Sequence, residues 1–127
     1  WLKNKAQIVA VISLPQETFV PFGAGVKSSV LFLKKPNGKP PERYPIFFAN
    51  LQKIGYDIRG RKIYKRNEKG EVIDDEGRVI DYLTDRKGNK IKQDPKLIEL
   101  KGALDTDIPK VLAEWTKFKK EFKSYLW

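Results

Sequence analysis

The stretch IVAVISLPQETFVPFGAGVKSSVLFLKK, residues 8–35, decides how the chain is read. Its opening is a continuous apolar run rich in Val and Ile, covering residues 6–14, the pattern of a strand buried on both faces of an α/β sheet. Pro15 ends that run, and a second apolar run extends from Val26 to Leu33. The connection between them is about a dozen residues, longer than a simple hairpin turn and of a length that is often functional. It carries Phe19, Phe22, Gly23 and Gly25. Aromatic rings in a glycine-bearing loop have two uses: they plug the end of the sheet, or they offer a flat face to a flat ligand.

Composition bounds the possibilities. The 127 residues, 14.7 kDa, suffice for a modest core but not for a nucleotide-binding enzyme with a separate recognition domain. The chain starts at Trp1 and has no methionine, so the expectation is a piece of a longer protein. A formal charge of +10, from 26 basic and 16 acidic residues, favours a polyanionic partner, nucleic acid before membrane. Lys- and Glu-rich composition also serves thermostability. The lack of cysteine removes disulfides and thiolate zinc sites, and the lack of histidine removes the commonest general base and metal ligand. Catalytic triads, histidine-metal hydrolysis and a metal site are therefore not expected. No apolar run approaches the roughly 20 residues that cross a bilayer, and nothing at the start reads as a signal peptide. A cytoplasmic protein without membrane contact is the expectation.

Beyond residue 35 the texture changes twice. Residues 1–5 read as the tail of a helix, and residues 44–49, YPIFFA, as a third strand, although Leu51, Ile54 and Tyr56 also suit a short helix. Residues 57–63, 67–73, 75–80 and 85–91 then repeat one formula of polar turn, glycine, charge and β-branched residue, with glycine spacings of 10, 7 and 11. Such uneven spacing argues against a solenoid and for a charged β-hairpin insertion. Its start holds Arg59, Arg61, Lys62, Lys65 and Arg66, a candidate set of phosphate contacts or else a solvated charged face. The end of the chain is an amphipathic helix: Asp105, Thr106 or Asp107 can cap it, Pro109 suits its first turn, and Ile108, Val111, Leu112, Trp115, Phe118, Phe122 and Tyr125 form one stripe. The division expected is thus 1–56, 57–103 and 104–127.

With these residues in view, residues 8–35 resemble the late catalytic-domain segment of the N6-adenine DNA methyltransferases, above all the modification subunits of type I restriction-modification systems and their single-chain relatives. There, a strand ending in Leu-Pro, a loop with Phe, Pro and Gly, and a strand beginning Val-Lys-Thr/Ser-Ser form the antiparallel hairpin that closes a seven-stranded, Rossmann-like methyltransferase sheet. The segment YPIFFANLQKIGYDIRGRK, residues 44–62, is similar to the next part of that family, and TDIPKVLAEWTKFKKE, residues 106–121, to the helix that follows. The resemblance covers residues 6–62 and 105–122, and implies an α/β fragment made of a terminal sheet hairpin, a charged insertion and a C-terminal helix.

The resemblance also implies roles. An enzyme that modifies a base within duplex DNA swings the nucleotide out and holds it against an aromatic face. Phe19 matches the family's stacking position best and Phe22 is its nearest rival; Gly23 and Gly25 would let the backbone approach the nucleotide, and Lys27 would meet a phosphate. The methyl donor, S-adenosylmethionine, and the Asn/Asp-Pro-Pro-Tyr/Phe motif belong to other parts of such proteins, and neither binding motif occurs here. PFGAG connects two strands and leads into no helix, and KPPERY lacks the required Asn or Asp. No catalytic residue is therefore assigned to this chain, which alone is expected to be inactive. Implied partners are double-stranded DNA and the specificity and restriction subunits of a prokaryotic system, with self-association through exposed strand edges. The alternatives are a basic nucleic-acid-binding module and a subunit-assembly element whose helix docks on a partner.

Overall fold

The first apolar run becomes β1, Gln7–Ser13, and the rest of its neighbourhood is built on it. In the computed structural model, which describes residues 1–126, β1 lies between β2, Ser29–Lys34, on one side and β3, Phe47–Asn50, on the other. Ile12 pairs with Val30 and Ala10 with Phe32 in antiparallel register, while Ala10 pairs with Phe47 in parallel register. The chain is thus a small mixed α/β protein with a three-stranded sheet, a separate two-stranded hairpin and helices. The third strand starts later than the sequence suggests and runs parallel to β1. The expected helix tail at the start is only a 3-10 turn, Leu2–Asn4.

Packing divides the chain into two compact units, residues Trp1–Ile54 with Thr106–Trp127, and Gly55–Asp105. The terminal helix therefore belongs with the opening segment. A carboxylate joins these two distant stretches of unit 1: Asp107 Oδ2 accepts hydrogen bonds from the backbone N–H groups of Gln52 at 2.8 Å and Lys53 at 3.0 Å. Of the three residues that could cap the helix, Asp107 holds the cap position but its side chain makes no cap hydrogen bond, while Thr106 Oγ1, one residue earlier, accepts from the N–H of Ile108 at 3.2 Å. Two further helices follow the order of the chain: α1, Pro95–Lys101, in unit 2, and α2, Ile108–Glu121, in unit 1, the latter continued by a single turn, α3, Lys123–Leu126. The aromatic stripe of α2 meets the sheet at Phe47, whose ring lies 5.4 Å from those of Trp115 and Phe118, and Phe118 lies 4.9 Å from Phe122. Each such pair is worth about 0.5–1.5 kcal/mol beyond the area it buries. The first half of the stripe is uncovered, with Ile108 and Leu112 exposed.

In unit 2 the repeated glycines Gly60, Gly70, Gly77 and Gly88 belong to one geometry used four times. In the turns that begin at Asp57, Asn67, Asp74 and Asp85, the side-chain Oδ1 accepts from the backbone N–H groups two and four residues on, at 2.8–3.0 Å. The fourth residue of each is a glycine at φ 78–83°, the left-handed conformation that a three-residue hairpin loop requires. The third turn starts at Asp74, one residue before the position suggested by the sequence spacing. The last of the four joins β4, Tyr82–Thr84, to β5, Lys90–Gln93. A helix at α1 was not legible from the repeat, although Asp94 caps it, accepting from the N–H of Lys96 at 2.9 Å, and Pro95 opens it.

Where strand pairing gives out, a glutamine substitutes for it. Gln93 Oε1 accepts from the N–H of Val72 at 2.6 Å, and its Nε2 donates to the carbonyls of Val72 at 3.0 Å and Ile80 at 2.9 Å. Val72 and Ile80, with Ala103, form the small core of the unit. A Gln93→Leu change leaves the N–H of Val72 and the carbonyl of Ile80 without partners, while the carbonyl of Val72 keeps its bond from the N–H of Ile80 at 3.1 Å; we expect it to destabilise unit 2 by about 2 kcal/mol, read by urea denaturation. Loss below about 1 kcal/mol would mean that water or another group takes over these bonds.

The turn carboxylates set a pH dependence. Asp57 is held below the ordinary aspartate value of 3.8 chiefly by the backbone N–H of Arg61, and Asp85 likewise by that of Asn89. A depressed folded-state value gives a contribution that is complete above the unfolded value and is lost as pH falls through the folded one. The melting temperature of the chain is therefore expected to hold from neutral pH to about pH 5 and to drop below about pH 4. Asp57→Asn with Asp85→Asn, which keep the acceptor as Asn67 does naturally, should flatten that drop; an unchanged acid limb would show that other groups control it.

Candidate nucleic-acid interface

At the C-terminal end of β1 the connection to β2 is ordered as a 3-10 helix, Gln16–Phe22. Thr18 is buried and its hydroxyl donates to the carbonyl of Pro15 at 2.7 Å, which turns the chain immediately after the Leu-Pro step. Gly23, at φ 90°, ends the helix, its N–H directed to the carbonyls of Phe19 and Val20. The two phenylalanines are thereby separated in exposure: Phe22 is 78% exposed at the tip, whereas Phe19 is 37% exposed. A Cβ on Gly23 or Gly25 would meet nothing within 4 Å, so both flank open space. Lys27 is exposed just before β2. The end of β3 lies at the same end of the sheet, since Ser13 pairs with Asn50 and the N–H of Leu51 donates to the carbonyl of Ser13 at 2.9 Å. Phe19, Phe22, Gly23, Gly25 and Lys27 thus share one loop at the carboxyl ends of two parallel strands, where α/β sheets commonly hold ligands.

The five cations of unit 2 are arranged differently. Arg59 and Arg61 lie on the first turn, Lys62 follows it, and Lys65 and Arg66 lead into the second. Arg61 is paired with Asp57, Nε to Oδ2 at 2.8 Å, and Arg66 Nη1 donates to the carbonyl of Gly70 at 2.7 Å. Arg59, Lys62 and Lys65 are exposed and in no ion pair among the described residues. Nearby, the Tyr82 hydroxyl donates to the Glu71 carboxylate, which also accepts from Asn67 at 3.1 Å. That bond lowers the pKa of Glu71 and raises that of Tyr82.

Charge is unevenly divided. Unit 1 holds thirteen bases against five acids, Glu17, Glu42, Asp107, Glu114 and Glu121, whereas unit 2 holds thirteen bases against eleven acids. The positive excess therefore belongs chiefly to unit 1, not to the hairpin cluster that the sequence brings forward. One part of it escaped the sequence reading: Lys34, Lys35 and Lys39 line a single cleft of about 350 Å³ with Gln7, Asn37 and Ser124. Its local signal is the absence of any acid from residue 18 to residue 41.

The sheet itself is incompletely covered. On the face toward α2, Ile12, Val30, Phe32, Leu112 and Trp115 line an apolar groove of about 400 Å³. On the other face Leu31, Leu33 and Phe48 are exposed, and the outer edge of β2 has no strand beside it among the described residues. No helix of the described residues is long and apolar enough to cross a membrane, and no group of three or more His, Cys, Asp or Glu among them could hold a metal ion. Compared with known proteins, the chain matches no family model, no curated protein and no solved structure.

Proposed function

We propose that this chain is the C-terminal part of a DNA adenine-N6 methyltransferase of a restriction-modification system, in which it supplies the loop that receives the target base. The observation that carries this reading is the pairing of an aromatic loop with an unfinished sheet. β2 exposes Val30, Leu31, Phe32 and Leu33, apolar residues on both faces, along an edge with no neighbouring strand. A strand of that composition belongs in the interior of a wider sheet, flanked by strands and covered by helices. The Phe19 and Phe22 loop stands at the strand ends where such a sheet would bind its ligand. S-adenosylmethionine and the catalytic Pro-Pro motif would come from the remainder of the protein.

The test is methyl transfer from S-adenosylmethionine to duplex DNA by the complete protein that carries this chain, with the isolated chain inactive. Loss of base stacking costs about 1–3 kcal/mol, so alanine at the stacking ring should lower kcat/KM by about 5- to 150-fold. The residue pattern nominates Phe19 and the exposure nominates Phe22; the variant with the larger loss identifies the ring. If the complete protein transfers no methyl group, or both Phe19→Ala and Phe22→Ala keep the full rate, the reading fails.

The bare edge of β2 also favours a second reading, a subunit-assembly element whose sheet is completed by another polypeptide. Substituting Leu31 by Lys separates the two. A partner held through this edge would be released, measured by sedimentation, whereas a sheet completed within one chain would lose stability without a change in association state.

A further inference from the structure

We propose that the cleft between residues 34–41 and α3 is a binding site for the backbone phosphates of nucleic acid, at the end of the sheet opposite the phenylalanine loop. It deepens the nucleic-acid reading above and rests on DNA being the partner. Lys34, Lys35 and Lys39 all line the cleft, and no acid lines it. None of the three is in an ion pair among the described residues. Gly38, at φ 97°, lies in the bend between Lys35 and Lys39.

The floor of the cleft is fixed. Gln7 is 2% exposed and its Nε2 donates to the carbonyl of Tyr125 at 2.8 Å, which ties β1 to α3 beneath the lysines. Asn37 and Ser124 add neutral polar groups to the lining. Cations gathered without a counter-charge are matched by an anion whose oxygens accept from several donors at once, as a phosphate does, and lysine serves such a site as a point charge.

Position selects a polymer over a lone anion. Lys34 pairs with Gln7 at one end of β1, and the aromatic loop leaves from the other end, about 20 Å away at about 3.3 Å per residue. That span equals about six base-pair steps along the axis of duplex DNA, so one duplex can touch both places.

The experiment is fluorescence anisotropy of the 127-residue chain with a labelled duplex of about 20 base pairs, titrated at salt from about 50 to 200 mM. The probe for Lys34→Gln, Lys35→Gln and Lys39→Gln together is the slope of log affinity against log salt, expected to fall in magnitude by about 2–3. An unaltered melting temperature of the triple variant shows that folding is not the cause. An unchanged slope, or no salt-dependent duplex binding by the parent chain, overturns the inference. So does a triple variant that loses binding to phosphatidylserine vesicles while duplex binding persists. Binding is read without methyl donor, so failure of the methyltransferase reading in its own assay leaves this outcome distinguishable.

Discussion

Pairing of β1 along both of its edges is the constraint on which unit 1 depends. Antiparallel on one side and parallel on the other, the strand holds β2 and β3 in register, and Ala10, buried and flanked by Phe32 and Phe47, brings their rings to the α2 face. A one-residue slip would turn that apolar set to the opposite face. The pairing also creates two distinct ends. One carries the aromatic loop and the other the lysine cleft, so the same strand that organises the core sets the spacing of the two candidate contact points.

Unit 2 reaches a fold by another route. Its apolar core is small, and much of its order comes from short-range polar bonds: four turns each closed by an Asp or Asn side chain, and Gln93 bridging backbone groups where the ladders are short. These bonds satisfy backbone donors that a larger sheet would satisfy through strands. Close approach also matters. A Cβ on Gly102 would lie 2.5 Å from the carbonyl oxygen of Ile98 and 2.7 Å from the ring of Tyr64, so only glycine fits after α1. The acids that make unit 2 nearly balanced in charge are in good part these turn residues, with Asp57 and Asp74 paired to Arg61 and Arg78.

The division of charge bears on function. Arginines and lysines of the hairpin region stand among acids that hold the turns, while those of unit 1 have few acids for company. Long-range attraction to a polyanion follows the net field, not the local density of basic residues. Unit 1 also carries the aromatic loop and the uncovered edge of β2, so the features on which the proposed function rests lie in one unit.

Much of the local structure was legible from sequence. The run IVAVISL gave β1, the run after Val26 gave β2, the stripe from Val111 to Phe122 gave α2, and the repeated glycines marked the turns. These depend on periodicity, side-chain branching and φ, all properties of neighbouring residues. What tertiary structure alone decided is the parallel pairing of β3, the tie from Asp107 to Gln52 and Lys53, the different exposure of Phe19 and Phe22, and the meeting of Lys34, Lys35 and Lys39 with α3. Each joins residues far apart in the chain or depends on what a loop packs against. Local propensity sets the kind of element, whereas register, burial and the gathering of like charges follow from long-range packing, which no single stretch of sequence encodes.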